Sequence, residues 1–201
     1  MARQPDMKRR AEIAARALDV VLEQGVHKTT MSDIARALDM KRPALYWYFS
    51  DLGAIFDVAL DGLQQEILTY VTQAMGRESN PIDQLYAVLH AVVEFYQNRR
   101  TSLIGLFQLW AVAGADGDAE SLLNRERELM EPQRNFLVAL VNNGIERGSV
   151  APCDAEGLVD TVLTLVDGSQ VQRVTRNGDL SAMLSFVKEQ MLEPLRLKEN
   201  K

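Results

Sequence analysis

The chain has 201 residues, of which 47% are hydrophobic and 25% charged, and its formal net charge is −6. This balance is that of an ordinary globular protein and excludes a disordered chain. The single cysteine, Cys153, excludes an internal disulfide and fits a reducing cytoplasm. The N-terminus lacks the apolar stretch of a secretory signal, and the longest uncharged run, residues 101–115, is shorter than the roughly 20 residues of a membrane helix. We therefore expect a cytoplasmic protein with no membrane partner.

The charge is distributed unevenly along the chain. Residues 1–50 contain nine Lys and Arg against six Asp and Glu, a net charge of +3, whereas the remainder has a net charge of −9. A basic end on an acidic body can direct a polyanion to one surface and repel it from the rest. The acidic total therefore leaves a nucleic-acid partner open.

Helical periodicity runs through nearly the whole chain, and no segment alternates as a strand would. The first predicted helix places Ile13, Ala17, Val20 and Val21 on one face and ends near Gly25, a residue suited to a left-handed stop.

Two short helices follow. Residues 30–33, Thr-Met-Ser-Asp, have the pattern of a capping box, which predicts a helix over about residues 31–38. Residues 39–41 are predicted as a tight turn, and residues 42–49 as a third helix. Pro43 lies in its first turn, where the missing N–H group is tolerated.

Longer helices fill the rest of the chain. Asn80 and Pro81 are typical of a helix start, and the loops at about 114–118, 148–152 and 177–179 separate the later helices. Pro132 leaves open a kink or a restart within its helix. We predict an all-α chain of about nine helices, the last six at about 52–75, 81–98, 101–113, 120–147, 154–176 and 180–195.

The second and third helices have the arrangement of a helix-turn-helix. The second helix crosses the DNA backbone and braces the third, which enters the major groove. Four apolar residues would hold the two helices together: Ile34, Ala35, Leu38 and Leu45.

The side chains at the start of the third helix are suited to contact base edges in the major groove. Arg42 can pair with both acceptors of a guanine, and the Pro43 ring and Ala44 methyl can meet a thymine methyl group. The following aromatic residues offer hydroxyl and indole donors to phosphates. We expect DNA contacts from Thr29, Thr30, Lys41, Arg42, Pro43, Ala44, Tyr46, Trp47 and Tyr48.

These residues also resemble the signature of the TetR family of transcriptional regulators. The similarity is strong over about residues 9–60 and weaker at 144–148 and 165–168. The residues that carry the strong part are Gly25, Thr29-Thr30-Met31, Asp33-Ile34-Ala35, Leu38 and Ala44-Leu45-Tyr46-Trp47-Tyr48-Phe49.

The resemblance implies a fold and a function. Residues 1–50 would form a helix-turn-helix DNA-binding domain, and residues 51–201 a helical bundle for ligand binding and dimerisation. The chain would be a ligand-responsive repressor that binds a palindromic operator in double-stranded DNA as a homodimer. A small apolar or aromatic effector would release it.

The resemblance also implies an effector cavity among the fourth to seventh helices. Phe107 and Trp110 are spaced to share one helix face, and such a wall suits an apolar ligand. A solid core in which the same side chains pack on one another is the alternative. The expected lining is Leu63, Ile67, His90, Phe107, Trp110 and Phe136.

For the dimer, the resemblance implies that the eighth and ninth helices pair with their symmetry mates. Two apolar stripes fit this role, although both could serve the core of one protomer. The stripes are Leu158, Val162, Leu165 and Ser169 on the eighth helix, and Met183, Leu184, Val187 and Met191 on the ninth.

The sequence departs from the family pattern at four places. Asp39 replaces the usual turn glycine, and Lys41 replaces a frequent capping serine. Tyr48 stands at a frequent histidine position. Residues 52–53, Leu-Gly, replace a frequent Lys-Glu pair, which removes one phosphate contact that Lys8, Arg9, Arg10 and Lys28 could replace.

Other function classes have little support in the sequence. The two histidines, His27 and His90, lie in no cluster with metal-ligand spacing, so we expect no metal and no cofactor. No nucleophile–base pair, paired carboxylates or Gly-rich phosphate loop points to an enzyme. The closest alternative is a helix-turn-helix protein whose body binds a protein partner or no effector.

Overall fold

The computed structural model describes residues 6–25, 28–105, 107 and 119–197, and these residues are almost entirely helical. Within them, the one extended pairing is a bridge between Val150 and Arg196. The expected all-α fold is confirmed. The helices are α1 (Met7–Gln24), α2 (Met31–Ala37), α3 (Arg42–Tyr48), α4 (Leu52–Met75), α5 (Pro81–Phe95), α6 (100–105 and 107), α7 (Ala119–Glu146), α8 (Ala155–Arg176) and α9 (Ser181–Phe186).

Some helix ends differ from the predicted ones. α5 ends at Phe95 because Tyr96 to Asn98 form a turn, in which Gln97 N–H donates to Glu94 O at 3.0 Å. α7 continues through Pro132 without a restart. α9 is shorter than predicted, since it passes into a π-helical turn at Val187–Leu192 and a 3₁₀ turn at Glu193–Leu195. Residues 108–113 of the predicted sixth helix lie outside the described residues.

Local sequence explains both ends of α1. At its start, the Asp6 carboxylate accepts hydrogen bonds from Lys8 N at 2.9 Å and Arg9 N at 3.4 Å. At its end, Gly25 has φ +93°, a region that L side chains rarely adopt, and its N–H donates to Val21 O at 2.8 Å. The helix therefore stops where the glycine predicts.

The described residues fall into two compact units. The first consists of those within Met1–Glu66 and Thr101–Asp116, and the second of those within Ile67–Arg100 and Gly117–Lys201. The core of the first unit contains Ile13, Ala14, Ala17, Leu18, Val21, Met31, Ile34, Ala35, Leu38, Leu45, Phe49, Ile55 and Ala59.

The second unit is built around α5, which packs on α7 and α8. Gly144 permits a close approach, because a Cβ added there would lie 2.6 Å from Val150 Cγ2 and 2.9 Å from Pro81 Cγ. The Asn80 amide donates to Ser149 O at 3.0 Å and joins the start of α5 to the end of α7. Gly148 then ends the helix with φ +71°. These contacts give a structural reason for both glycines in the segment 144–148.

Across the described segments, no helix is both long enough and apolar enough to cross a membrane.

Candidate nucleic-acid interface

The start of α2 is fixed by a reciprocal pair of hydrogen bonds. Asp33 N donates to Thr30 Oγ1 at 3.3 Å, and Thr30 N donates to Asp33 Oδ2 at 3.0 Å. These bonds satisfy backbone donors that the first turn of a helix leaves free. The donors on Thr30 hold the pKa of the Asp33 carboxyl below its usual value. The predicted capping box is confirmed.

The turn between α2 and α3 requires a positive φ at Asp39. Its φ is +52°, a left-handed conformation that Asp adopts more readily than most residues. The turn is closed by Met40 N–H, which donates to Ala35 O at 2.8 Å. Asp39 thus takes the place of a turn glycine without breaking the helix-turn-helix.

α3 presents an apolar side and a polar side. Leu45 in the helix and Phe49 just after it are buried in the core of the first unit. Lys41, which precedes the helix, provides no side-chain cap, as expected. The other side of the segment is exposed: Lys41, Arg42, Pro43, Ala44, Tyr46 and Trp47, with Tyr48 half-buried.

Arg42 has a neighbour that limits its freedom. Its guanidinium carbon lies 5.5 Å from the centroid of the Tyr46 ring, and Nη2 donates to the Tyr46 hydroxyl at 3.4 Å. Both side chains are exposed. The contact orders the guanidinium, and its remaining donors are available to a base edge.

Arg10 supports α3 from α1. Its Nε donates to Tyr48 O at 3.2 Å, and its guanidinium carbon lies 5.1 Å from the centroid of the Phe49 ring. From the sequence, Arg10 was predicted only as a possible contact to a DNA phosphate. The support role could not be read from spacing, since 38 residues separate Arg10 from Tyr48. Lys8, Arg9 and Lys28 are exposed.

Thr29 does not fit its predicted role as a side-chain contact to DNA. It is buried, and its hydroxyl donates to Gly25 O at 2.9 Å, which ties together the loop before α2. Thr30 is exposed at the helix start, although its hydroxyl already contacts Asp33. We therefore keep Thr30 and remove the Thr29 side chain from the DNA-contact set.

Asp51 was missed by the sequence reasoning. Its carboxylate accepts from Ala54 N at 2.9 Å and from Ser50 Oγ at 2.8 Å, and these bonds lower its pKa, so it caps α4 as an anion. The Ser-Asp pair before a helix was the signal that could have identified it.

Two residues of the predicted effector set are at the surface. Phe136 is 59% exposed, and the side chain of His90 is 49% exposed and lies 3.9 Å from Glu94 Oε2. Both side chains are therefore accessible to solvent in the protomer, and their place in the effector lining stays a prediction. Leu63, Ile67 and Phe107 are half-buried, and Trp110 lies outside the described residues.

The predicted dimer stripes also need correction. Val162, Ser169 and Val187 are buried within the protomer, so their side chains belong to its own core. The sequence pattern could not separate a core stripe from an interface stripe, since both are apolar at helical spacing. The remaining members are half-buried: Leu158, Leu165, Met183, Leu184 and Met191.

The exposed face of α8 is lined by small residues at heptad spacing. They are separated alternately by three and four positions and all lie on the solvent side of the protomer. This face was not predicted. Its residues are Thr161, Thr164, Gly168, Val171 and Thr175.

Comparison with known proteins places these features in a family. Residues 13–58, which include the whole helix-turn-helix, match the family model for bacterial regulatory proteins of the tetR family. In the described ranges, no group of three or more His, Cys, Asp and Glu side chains could hold a metal ion.

The similarity to known proteins extends over most of the chain. The probable acrEF/envCD operon repressor of Escherichia coli (strain K12) is 29% identical over 171 residues, which cover 81% of this chain and 73% of that protein. The nucleoid occlusion factor SlmA of Haemophilus influenzae is 20% identical over 174 residues, which cover 86% of this chain and 78% of that protein. A crystal structure of a TetR transcription regulator from Haloarcula marismortui matches with a TM-score of 0.77 at 19% identity, covering 94% of this chain and 100% of that chain.

Proposed function

Because the chain belongs to the TetR family of bacterial regulatory proteins, and is thus a transcriptional regulator and not an enzyme, we propose that it is a ligand-responsive repressor. It binds a palindromic operator in the cytoplasm as a homodimer, and a small apolar or aromatic effector releases it. Residues 1–50 bind the DNA, and residues 51–201 bind the effector and form the dimer.

The observation that carries this proposal is the two-sided character of α3. Leu45 and Phe49 anchor one side in the core, and the opposite side exposes Arg42 beside Pro43 and Ala44. An exposed helix start with a cation and two small apolar groups suits the donor, acceptor and methyl pattern of the major groove. Trp47, 47% exposed, has an indole N–H that can reach a phosphate oxygen.

A matched pair of substitutions tests the role of α3. Arg42→Ala should lower operator affinity by about 1–3 kcal/mol and relax the preference at one base pair in each half-site. Lys41→Ala, one position earlier and outside the helix, should weaken binding to all sequences alike and reduce its salt dependence. Binding sites selected from random duplex DNA provide the measurement. An unchanged motif for Arg42→Ala would contradict the placement of α3 in the groove.

For the dimer we propose the exposed small-residue face of α8 as the central seam. Small side chains let two helices approach closely, and heptad spacing keeps one face directed at a partner helix. Phe186 of α9, 60% exposed in the protomer, would supply a further large apolar contact. The half-buried residues Leu158, Leu165, Met183, Leu184 and Met191 would complete the interface. Two-fold symmetry then matches a palindromic site.

For the effector we retain Leu63, Phe107 and Trp110 as the apolar wall. An effector acts only through different affinities for the DNA-binding and released states, and a coupling of about 1–3 kcal/mol lowers operator affinity roughly 5- to 150-fold. In a Trp47→Phe variant, Trp110 is the only tryptophan left of the two in the chain. Its fluorescence should change when the compound that releases the operator is added. Release of the operator without a change in fluorescence would contradict the place of Trp110 in the effector wall.

A further inference from the structure

Two side chains of α3 contact each other on the exposed surface of the first unit. Arg42 and Tyr46 are four positions apart, so one turn of the helix brings them to the same face. The Arg42 guanidinium carbon lies 5.5 Å from the centroid of the Tyr46 ring, and Arg42 Nη2 donates to the Tyr46 hydroxyl at 3.4 Å. The ring and the hydroxyl of one tyrosine therefore both meet the guanidinium.

The core of the first unit does not account for Tyr46. Its side chain is 42% exposed, and it is not among the described side chains that pack against that core. The next two aromatic and apolar anchors of the segment, Leu45 and Phe49, are buried there instead. An exposed contact between a cation and a ring adds little to stability. Its main effect is to restrict Arg42, a long side chain with much rotamer freedom to lose.

Restriction of Arg42 has a consequence for base recognition. An arginine contacts a guanine through two parallel N–H groups, and it gives up rotamer freedom to do so. A guanidinium that is already held in the free protein loses less freedom when it binds its base. We propose that Tyr46 is a positioning residue, which holds the Arg42 guanidinium for one base pair and so raises the sequence specificity of α3. This inference rests on the proposed function, because it requires that Arg42 contacts a base.

The rival role for Tyr46 is the one expected from the sequence, a contact from its hydroxyl to a DNA phosphate. A phosphate contact strengthens binding to every sequence alike, whereas positioning strengthens binding only to the sequence that Arg42 recognises. The ratio of the affinities for two duplexes therefore separates the two roles.

The two duplexes are the sequence selected from random DNA and the same sequence changed at the base pair whose preference Arg42→Ala relaxes. Tyr46→Leu should lower the ratio of the two affinities about 2- to 5-fold, the size of an exposed cation–π contact. Trp47→Leu, the same change at the neighbouring exposed aromatic residue, is the control and should weaken binding to both duplexes alike. In the Arg42→Ala background, Tyr46→Leu should leave the ratio unchanged, because the side chain that Tyr46 positions is absent.

A second measurement needs no DNA. The Nε–H group of Arg42 gives an NMR signal that disappears in Arg42→Lys, and nitrogen relaxation of that signal reports how much the side chain moves. Tyr46→Leu should make the Arg42 side chain more mobile in the free, full-length protein. Tyr46→Phe keeps the ring and should keep most of the order of Arg42, and Trp47→Leu should keep all of it.

Either of two results would overturn the proposal. One is equal mobility of Arg42 in the wild type and in Tyr46→Leu. The other is an unchanged affinity ratio in Tyr46→Leu, which together with weaker binding to both duplexes would indicate a phosphate contact. Failure of the proposed function is distinguishable, since a wild type that prefers no DNA sequence contradicts that function, while the mobility of Arg42 still decides whether Tyr46 holds the guanidinium.

Discussion

At the scale of single residues, the helix-turn-helix depends on side chains that satisfy backbone groups. Thr30 and Asp33 do this at the start of α2, and Thr29 does it in the preceding loop. These residues lie within a few positions of the groups they serve. The sequence predicted the capping box for that reason, because its two members and both backbone donors are local.

Loss of the cap at Thr30 should destabilise the first unit. Thr30→Ala removes the acceptor of the Asp33 N–H bond, and we expect a loss of about 1 kcal/mol in the free energy of unfolding. Thr72→Ala is the matched control, because Thr72 is an exposed threonine in the interior of α4 and starts no helix. Denaturant unfolding measures both variants, and an equal loss in the two would contradict a specific capping role.

The capping box also predicts a dependence on pH. Hydrogen bonds from Thr30 lower the pKa of Asp33 below its usual value of 3.8 in the folded state. The charged carboxylate therefore contributes stability above that value, and the contribution is lost as the pH falls through the folded pKa. The difference in unfolding free energy between the wild type and Asp33→Asn should shrink as the pH is lowered from about 7 towards and below 3.8. A difference that stays constant would contradict the role of the charge.

At the scale of helices, local sequence predicts where a helix begins and ends, whereas contacts between helices decide which of its residues are buried. The sequence predicted the bounds of α4 and the start of α5, since periodicity, caps and prolines are local signals. It did not distinguish Val162, which lies in the protomer core, from Val171, which is exposed on the same helix. Both are apolar at helical spacing, and only the partner helix decides which of them is covered. The contact of Arg10 with Phe49 was missed because distant parts of the chain meet there.

The packing of α6 on α1 in the first unit leaves no room at Gly105. A Cβ added there would overlap Leu22 Cδ2, so Leu22 would have to move. Gly105→Ala should destabilise the first unit by about 1–3 kcal/mol, the usual range for overpacking.

Leu22→Ala supplies the test of that explanation. The double variant Gly105→Ala/Leu22→Ala should be less destabilised than the sum of the two single variants, because the space that Leu22 leaves accommodates the new methyl group. Gly62→Ala is the control, since a Cβ at this helical glycine meets nothing within 4 Å. Additive losses measured by denaturant unfolding would contradict a contact between α6 and α1 at this point.

At the scale of the whole molecule, the proposal requires two copies of the chain. Val171, a member of the proposed α8 seam, is 47% exposed, and Val171→Asp should yield monomers that keep the helical content of the wild type. Asn142→Asp adds the same charge at an exposed position of α7 and should remain dimeric. Sedimentation at micromolar concentration measures both, and a monomeric wild type would contradict the dimer itself.

The central claim is that the chain reads a palindromic DNA site with α3, and selection of binding sites from random duplex DNA tests it most directly. We predict an enriched palindrome whose half-sites lie about 34–36 Å apart, the spacing of successive major-groove turns, with one base pair in each half-site that loses its preference in Arg42→Ala. Recovery of no common sequence by the wild-type protein, with binding governed by salt alone, would contradict the account.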